Sequence, residues 1–228
     1  MLQEVLKKHQ SKFRPVVPLL SEHESLLVMD FTANNTTLTK AILQDINKFS
    51  RYIQSTLESA GCRLGIGGYA EHRTIYAVSP HFDAGDEPRR LHLGTDIWGE
   101  AGTEIFTPLN GHVHSFRFND HFGDYGATII LQHHLDGHSF YTLYGHLSIS
   151  NLQGLYEHMP VKAGELLANF GTPAENGGWP PHLHFQIIED MQGMRGDYPG
   201  VCKYSEKEKY LRNCPDPELI LQLNQYTH

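Results

Sequence analysis

The sequence predicts a mainly β protein: an antiparallel sheet core with a helical segment before it and a short helical tail after it. Three observations predict this. From Gly65 to about Glu189, short runs rich in Ile, Val, Tyr, Phe and Thr alternate with clusters of Gly, Pro, Asn and Asp, the texture of strands joined by turns. The 21 Gly and 12 Pro among 228 residues supply the frequent turns such a body needs. Before that stretch, Leu38, Ile42, Ile46, Phe49, Ile53 and Leu57 recur at spacings of three and four, which places them on one helix face.

Taken in chain order, Leu26–Phe31 is a short apolar run that reads as a strand. The helix carrying the apolar stripe starts near Thr36 or Thr37, either of which can cap it, and runs to about Ala60, where Gly61 stops it. Strands are expected at Gly111–Phe118, Ala127–His133, Ser139–Leu143 and Leu183–Ile188. After Pro199 the pattern returns to helix, with Ser205-x-x-Glu208 as a capping box and Glu206–Lys209 as a solvated face. The expected partition is an N-terminal, largely helical accessory segment at 1–64, a β domain at 65–200 and a C-terminal helical tail at 201–228, packed on the domain.

Bulk properties exclude several classes. The formal net charge is −8, with no basic stripe for nucleic acid and no Lys/Arg cluster for an acidic membrane. No window approaches the ~20 apolar residues of a membrane span, and Met1–Gln10 lacks the apolar core of a secretory signal. A cytoplasmic location without membrane insertion is the expectation. Three cysteines, Cys62, Cys202 and Cys214, form no C-x-x-C, and the odd count suits a reducing compartment better than a Cys202–Cys214 disulfide. The 16 His justify a search for metal or proton chemistry.

Three segments carry that chemistry. In Pro181-His182-Leu183-His184-Phe185, an H-x-H on a strand places both imidazoles on one face, with Leu183 and Phe185 turned into apolar packing. His112-Val113-His114 has the same pattern without a carboxylate partner and is read as bland. His92-Leu93-Gly94-Thr95-Asp96 adds a His and an Asp four residues apart, with Gly94 allowing a bend. One His of the H-x-H together with this pair makes a two-His, one-carboxylate set, the ligand set of a hydrolytic zinc site with an open fourth position. Tyr141–Ser148 contributes His146. No H-E-x-x-H is present, so the base for a zinc-bound water has to be a histidine.

These motifs resemble the lysostaphin/LytM-type zinc endopeptidases, bacterial enzymes that cut peptide cross-links of peptidoglycan. His92-x-x-x-Asp96, Tyr144-x-His146-Leu147-Ser148 and Pro181-His182-Leu183-His184-Phe185 follow the family's order. Between them lie Gly102-Thr103, Thr107-Pro108-Leu109-Asn110-Gly111, Tyr125-Gly126 and Val161-x-x-Gly164, so that the resemblance covers about residues 90–190. It implies one Zn²⁺ per chain on His92, Asp96 and His184, and a proton-handling pair in His146 and His182. It also implies the family's antiparallel core (a duplicated hybrid motif, barrel-sandwich-like) with a groove over the metal, and a peptide or peptidoglycan-derived substrate.

Gly178-Trp179-Pro180-Pro181, Asp197–Val201 and Cys214-Pro215-Asp216-Pro217 are further similar to peptidase-like modules of large bacterial proteins with phosphotransferase-like and class III aminotransferase-like parts. Trp179-Pro180-Pro181 departs from the small-residue loop usual in the family and is expected to stiffen the groove wall, favouring a compact substrate. The alternative to an active peptidase is a non-catalytic zinc-binding or regulatory module. Nothing in the sequence specifies an oligomeric state. His133 is read either as support for the site or as packing, Glu71 and Arg73 as a surface pair with groove lining as the alternative, and His134, His138 and His158 as exposed loop residues.

Overall fold

The computed structural model describes residues 1–18, 24–75 and 86–227. Its centre is an eight-stranded sheet. Numbered in chain order, the strands across it are β1 (Leu26–Met29), β2 (Leu64–Gly67), β4 (Thr95–Trp98), β11 (His182–Ile188), β8 (His138–Leu147), β7 (Gly126–Leu135), β6 (Gly111–Asn119) and β9 (Pro160–Val161). Every neighbouring pair is antiparallel except β1 and β2, which run parallel. The sheet is therefore mixed at one edge, and it stays open rather than closing into a barrel. Two small antiparallel pairs complete the β structure: β5 (Glu104–Phe106) with β10 (Leu166–Asn169), and β3 (Arg89–His92) with β12 (Val201–Lys203). The four strands expected in the β body are all present, three of them longer by one to three residues and β8 twice its expected length, whereas the run Leu26–Phe31 is a strand only over Leu26–Met29.

Period-two alternation gives the sheet two apolar faces. Leu183, Phe185 and Ile187 of β11, Tyr144 of β8 and Ile129 and Leu131 of β7 face one core. Leu2 and Leu6 of α1 (Leu2–His9), together with Ile220 and Leu221 near the C-terminus, cover that core. On the other face Ile130, Leu143 and Ile188 pack with Leu91, Tyr198 and Cys202. Beside them Phe49, Ile53 and Leu57 pack on Phe31 and Trp98. Each such burial contributes about 1.5–3 kcal/mol of transfer free energy, which stabilises a helix of 14 residues that would be marginal alone.

The apolar stripe is carried by two helices rather than one: α2 (Lys40–Leu43) and α3 (Ile46–Ser59). Asp45 divides them. Its carboxylate accepts from the amides of Asn47 and Lys48 at 3.0 and 3.2 Å, a strong N-cap that starts a new helix in mid-stripe. Thr37 caps nothing and donates instead to Asn35 Oδ1. Gly61, at φ +67°, follows the last turn of α3 as expected.

The capping box does not form. Ser205 lies in a 3₁₀ turn, and its amide and hydroxyl bind the Glu87 carboxylate, so α4 (Lys207–Asn213) starts without a side-chain cap. The tail reaches it through β12 and continues through α5 (Glu218–Leu221) to a 3₁₀ turn at Asn224–Tyr226. Cys62, Cys202 and Cys214 are free thiols. Among the described residues no helix is long and apolar enough to cross a membrane.

Candidate metal centre

β11 lies between β4 and β8, and alternation aims His182, His184 and Gln186 to the face opposite Leu183, Phe185 and Ile187. In the β4 register His184 stands directly across from Asp96, and His182 across from Trp98. His92 ends β3, and the chain bends at Gly94 to enter β4. A Cβ on Gly94 would sit 2.6 Å from the His184 ring and 2.7 Å from the Phe185 carbonyl oxygen. The position demands glycine for this close approach.

His92, Asp96 and His184, all buried, converge. His92 Nε2 is 3.0 Å from His184 Nδ1, Asp96 Oδ1 is 3.0 Å from His184 Nδ1, and His92 Nε2 is 3.3 Å from Asp96 Oδ1. A tetrahedral zinc with bonds of about 2.0–2.1 Å has ligand atoms roughly 3.3 Å apart, so the triangle fits that ion. The outer nitrogens are held. His92 Nδ1 donates to the Gly68 carbonyl at 3.0 Å, and His184 Nε2 donates to Gln186 Oε1 at 2.9 Å. Both arrangements direct a lone pair inward, as metal-ligating histidines require. Burial, aided by the Arg73 charge, pushes His92 down to about 4. Burial alone would raise the Asp96 carboxyl, but the neighbouring His92 and the Arg73 guanidinium together hold it well below the usual carboxylate range.

His146 and His182 stand beside this triangle, their rings 4.1 Å apart. His146 Nδ1 donates to the Asn176 carbonyl at 2.8 Å, and His182 Nδ1 to the Pro180 carbonyl at 2.7 Å. In each neutral ring Nε2 is thereby left as the acceptor. Trp98 stacks on His182 at 4.0 Å. Burial lowers His182 to about 4, and burial with the nearby His182 takes His146 well below its ordinary value.

His146 reaches the site through a bulge. Ile129 pairs with Tyr144 but Ala127 with Leu147, so β8 carries one extra residue there. Plain alternation would put His146 on the Tyr144 face, in the core. The bulge, with His146 at φ +63°, turns it to the His184 face.

Asp96, His146, His182 and His184 border a cleft of about 230 Å³, also lined by Arg73, Arg89, Asp124, Tyr125, Trp179 and Asp197, while His92 lies behind them. Trp179 does form part of its wall. Glu71 and Arg73 are not a surface pair: Arg73 is fully buried, donates from Nε to Glu71 Oε2 at 2.7 Å, and makes a short ion pair from Nη1 to Asp96 Oδ2. Folding places Arg73 beside Asp96, 23 positions away in sequence, so no local spacing could reveal it. Gln186 was missed as well, yet its i+2 offset from His184 was a legible signal.

His133 is buried between the Asn110 carbonyl, at 3.0 Å, and the Thr142 hydroxyl, at 2.8 Å. It braces β7 and β8. His112 and His114 bind Gln132 and Ser115 and do not line the cleft. His158 is exposed in a turn, whereas His134 and His138 lie on strands β7 and β8, because the hairpin between them is tighter than the sequence suggested.

Among solved structures, the chain is similar to a zinc-containing peptidase from Vibrio cholerae, at 26% identity over 43% of this chain and 27% of that one, with a TM-score of 0.35. It is also similar to lysostaphin from Staphylococcus simulans. The whole antimicrobial peptidase matches at 24% identity over 61% of this chain and 46% of that one (TM-score 0.41). Its catalytic domain matches at 23% over 53% and 80% (TM-score 0.37). A comparison with curated proteins finds no match. Residues 90–195 match the model of peptidase family M23, and His92, Asp96, His146, His182 and His184 all fall inside that segment.

Proposed function

We propose that the chain is a zinc-dependent metalloendopeptidase with His92, Asp96 and His184 as ligands of one Zn²⁺, and His146 and His182 as its catalytic pair. The single observation that carries the proposal is the triangle of inward-facing donor atoms at 3.0–3.3 Å, flanked by two histidines whose Nδ1 atoms are already committed to backbone carbonyls. Zinc bound there would polarise a peptide carbonyl and bring a coordinated water to a pKa near ~7. The chain's own part is proton handling. One of the two Nε2 atoms accepts the proton of the attacking water, and an imidazole N–H then stabilises the developing oxyanion or protonates the leaving amine. Burial keeps both rings neutral at pH 7 and so able to accept.

The substrate is a compact peptide or peptidoglycan-derived fragment. Trp179 in the wall and a net charge of −8 disfavour docking on an anionic polymer. Zinc-loaded protein incubated with soluble muropeptides and Gly-rich peptides should release new amines, stop on chelation and recover on zinc addition. Rapid clearing of intact wall sacculi would refute the compact-substrate assignment. Bound zinc with no turnover of any of these would favour a regulatory zinc-binding module.

A further inference from the structure

We infer that Arg73 is a positioning residue of this centre: it holds the second oxygen of Asp96, so that Asp96 offers a single oxygen to a divalent cation and the fourth position stays open. The inference rests on the zinc assignment above.

A fully buried guanidinium must be paired, because desolvating it alone costs several kcal/mol. Arg73 is paired on two sides. Nε donates to Glu71 Oε2 at 2.7 Å while Nη1 donates to Asp96 Oδ2. The Phe31 ring lies 5.2 Å from Cζ, and the Phe31 amide donates to the other Glu71 oxygen at 3.3 Å. A rigid arm thus runs from the Phe31 backbone through Glu71 and Arg73 to Asp96.

Space for the arm is reserved. Gly67 stands across from Asp96 in the β2–β4 register, and a Cβ there would meet Arg73 Nη2 at 2.6 Å. The planar fork can serve two carboxylates at fixed geometry, which a lysine ammonium cannot. With Oδ2 engaged, only Oδ1 joins the His92–His184 triangle. Released from Arg73, the carboxylate is free to swing, bind through both oxygens and take the position a water or substrate needs.

The test uses metal alone. The metal-free full chain and its Arg73→Gln and Glu71→Gln variants are titrated with Zn²⁺ against a chromophoric chelator, and with Co²⁺ followed by visible absorption. The wild type should bind one ion and show the intense bands of four-coordinate Co²⁺. Arg73→Gln should bind 10–100-fold more weakly, with the weaker bands of a higher coordination number. Glu71→Gln, which keeps the guanidinium but loosens it, should move affinity and spectrum the same way by less. A folded Arg73→Gln protein with wild-type affinity and spectrum overturns the inference. Where Arg73→Gln does not fold, an unchanged Glu71→Gln protein overturns it instead. A wild type that binds neither metal overturns the zinc assignment itself, a result distinct from either of those.

Discussion

Asp96 and His184 stand directly opposite each other on β4 and β11, with Asp96 Oδ1 3.0 Å from His184 Nδ1. A directly opposed cross-strand pair is among the most rigid placements two side chains can have, since the sheet ladder sets their separation. His92 joins them from the end of β3 across the Gly94 bend. A donor triangle built on strands is preorganised before any ion arrives.

His184→Ala and Asp96→Ala should each lose most bound zinc, because each removes one of the three donors proposed for it. Elemental analysis of protein purified in zinc and desalted checks this. Full occupancy in both variants would sink the ligand assignment.

His146→Ala and His182→Ala should keep the metal and lose about 10²–10⁴-fold in turnover, the usual size of a general acid–base contribution. Zinc content and rate are measured on the same preparations. Loss of zinc from either variant would mean that ligand and proton carrier have been assigned the wrong way round.

Gly94→Ala should weaken zinc binding and destabilise the fold by about 1–3 kcal/mol, the usual cost of overpacking. The added methyl meets the His184 ring and a backbone oxygen at 2.6 and 2.7 Å, and backbone has little room to yield. Urea unfolding and a zinc titration read the two effects. A variant unchanged in both would show that the His92–Asp96 bend is looser than its geometry.

His133 should make the fold acid-sensitive. Burial lowers it from 6.5 to about 4, so between those values the unfolded chain binds a proton that the folded one does not. Stability then rises with pH across this window and is lost as pH falls from about 6.5 towards 4, by on the order of 3 kcal/mol for this residue. His133→Gln removes the titration. The stability gap between wild type and variant should shrink from pH 7 to pH 4, as measured by urea unfolding, and a constant gap would refute the assignment.

The sequence by itself determined the alternating face of His182 and His184, the four main strands and the His92–Asp96 spacing, because each follows from neighbours along the chain and from period-two geometry. It could also have disclosed Gln186 and Trp98, each two residues from a proposed ligand on the same strand face. Two features were decided only by tertiary structure. His146 reaches the cleft through a β8 bulge that reverses the face plain alternation assigns it. Arg73 is buried on Asp96 by a contact between segments 23 residues apart. The break of the apolar stripe at Asp45 is by contrast local, since its carboxylate caps the amides two and three residues on. Bulges and buried ion pairs depend on which strands come to lie side by side, and such long-range pairing is set by the packing of the whole core rather than by any local run of residues.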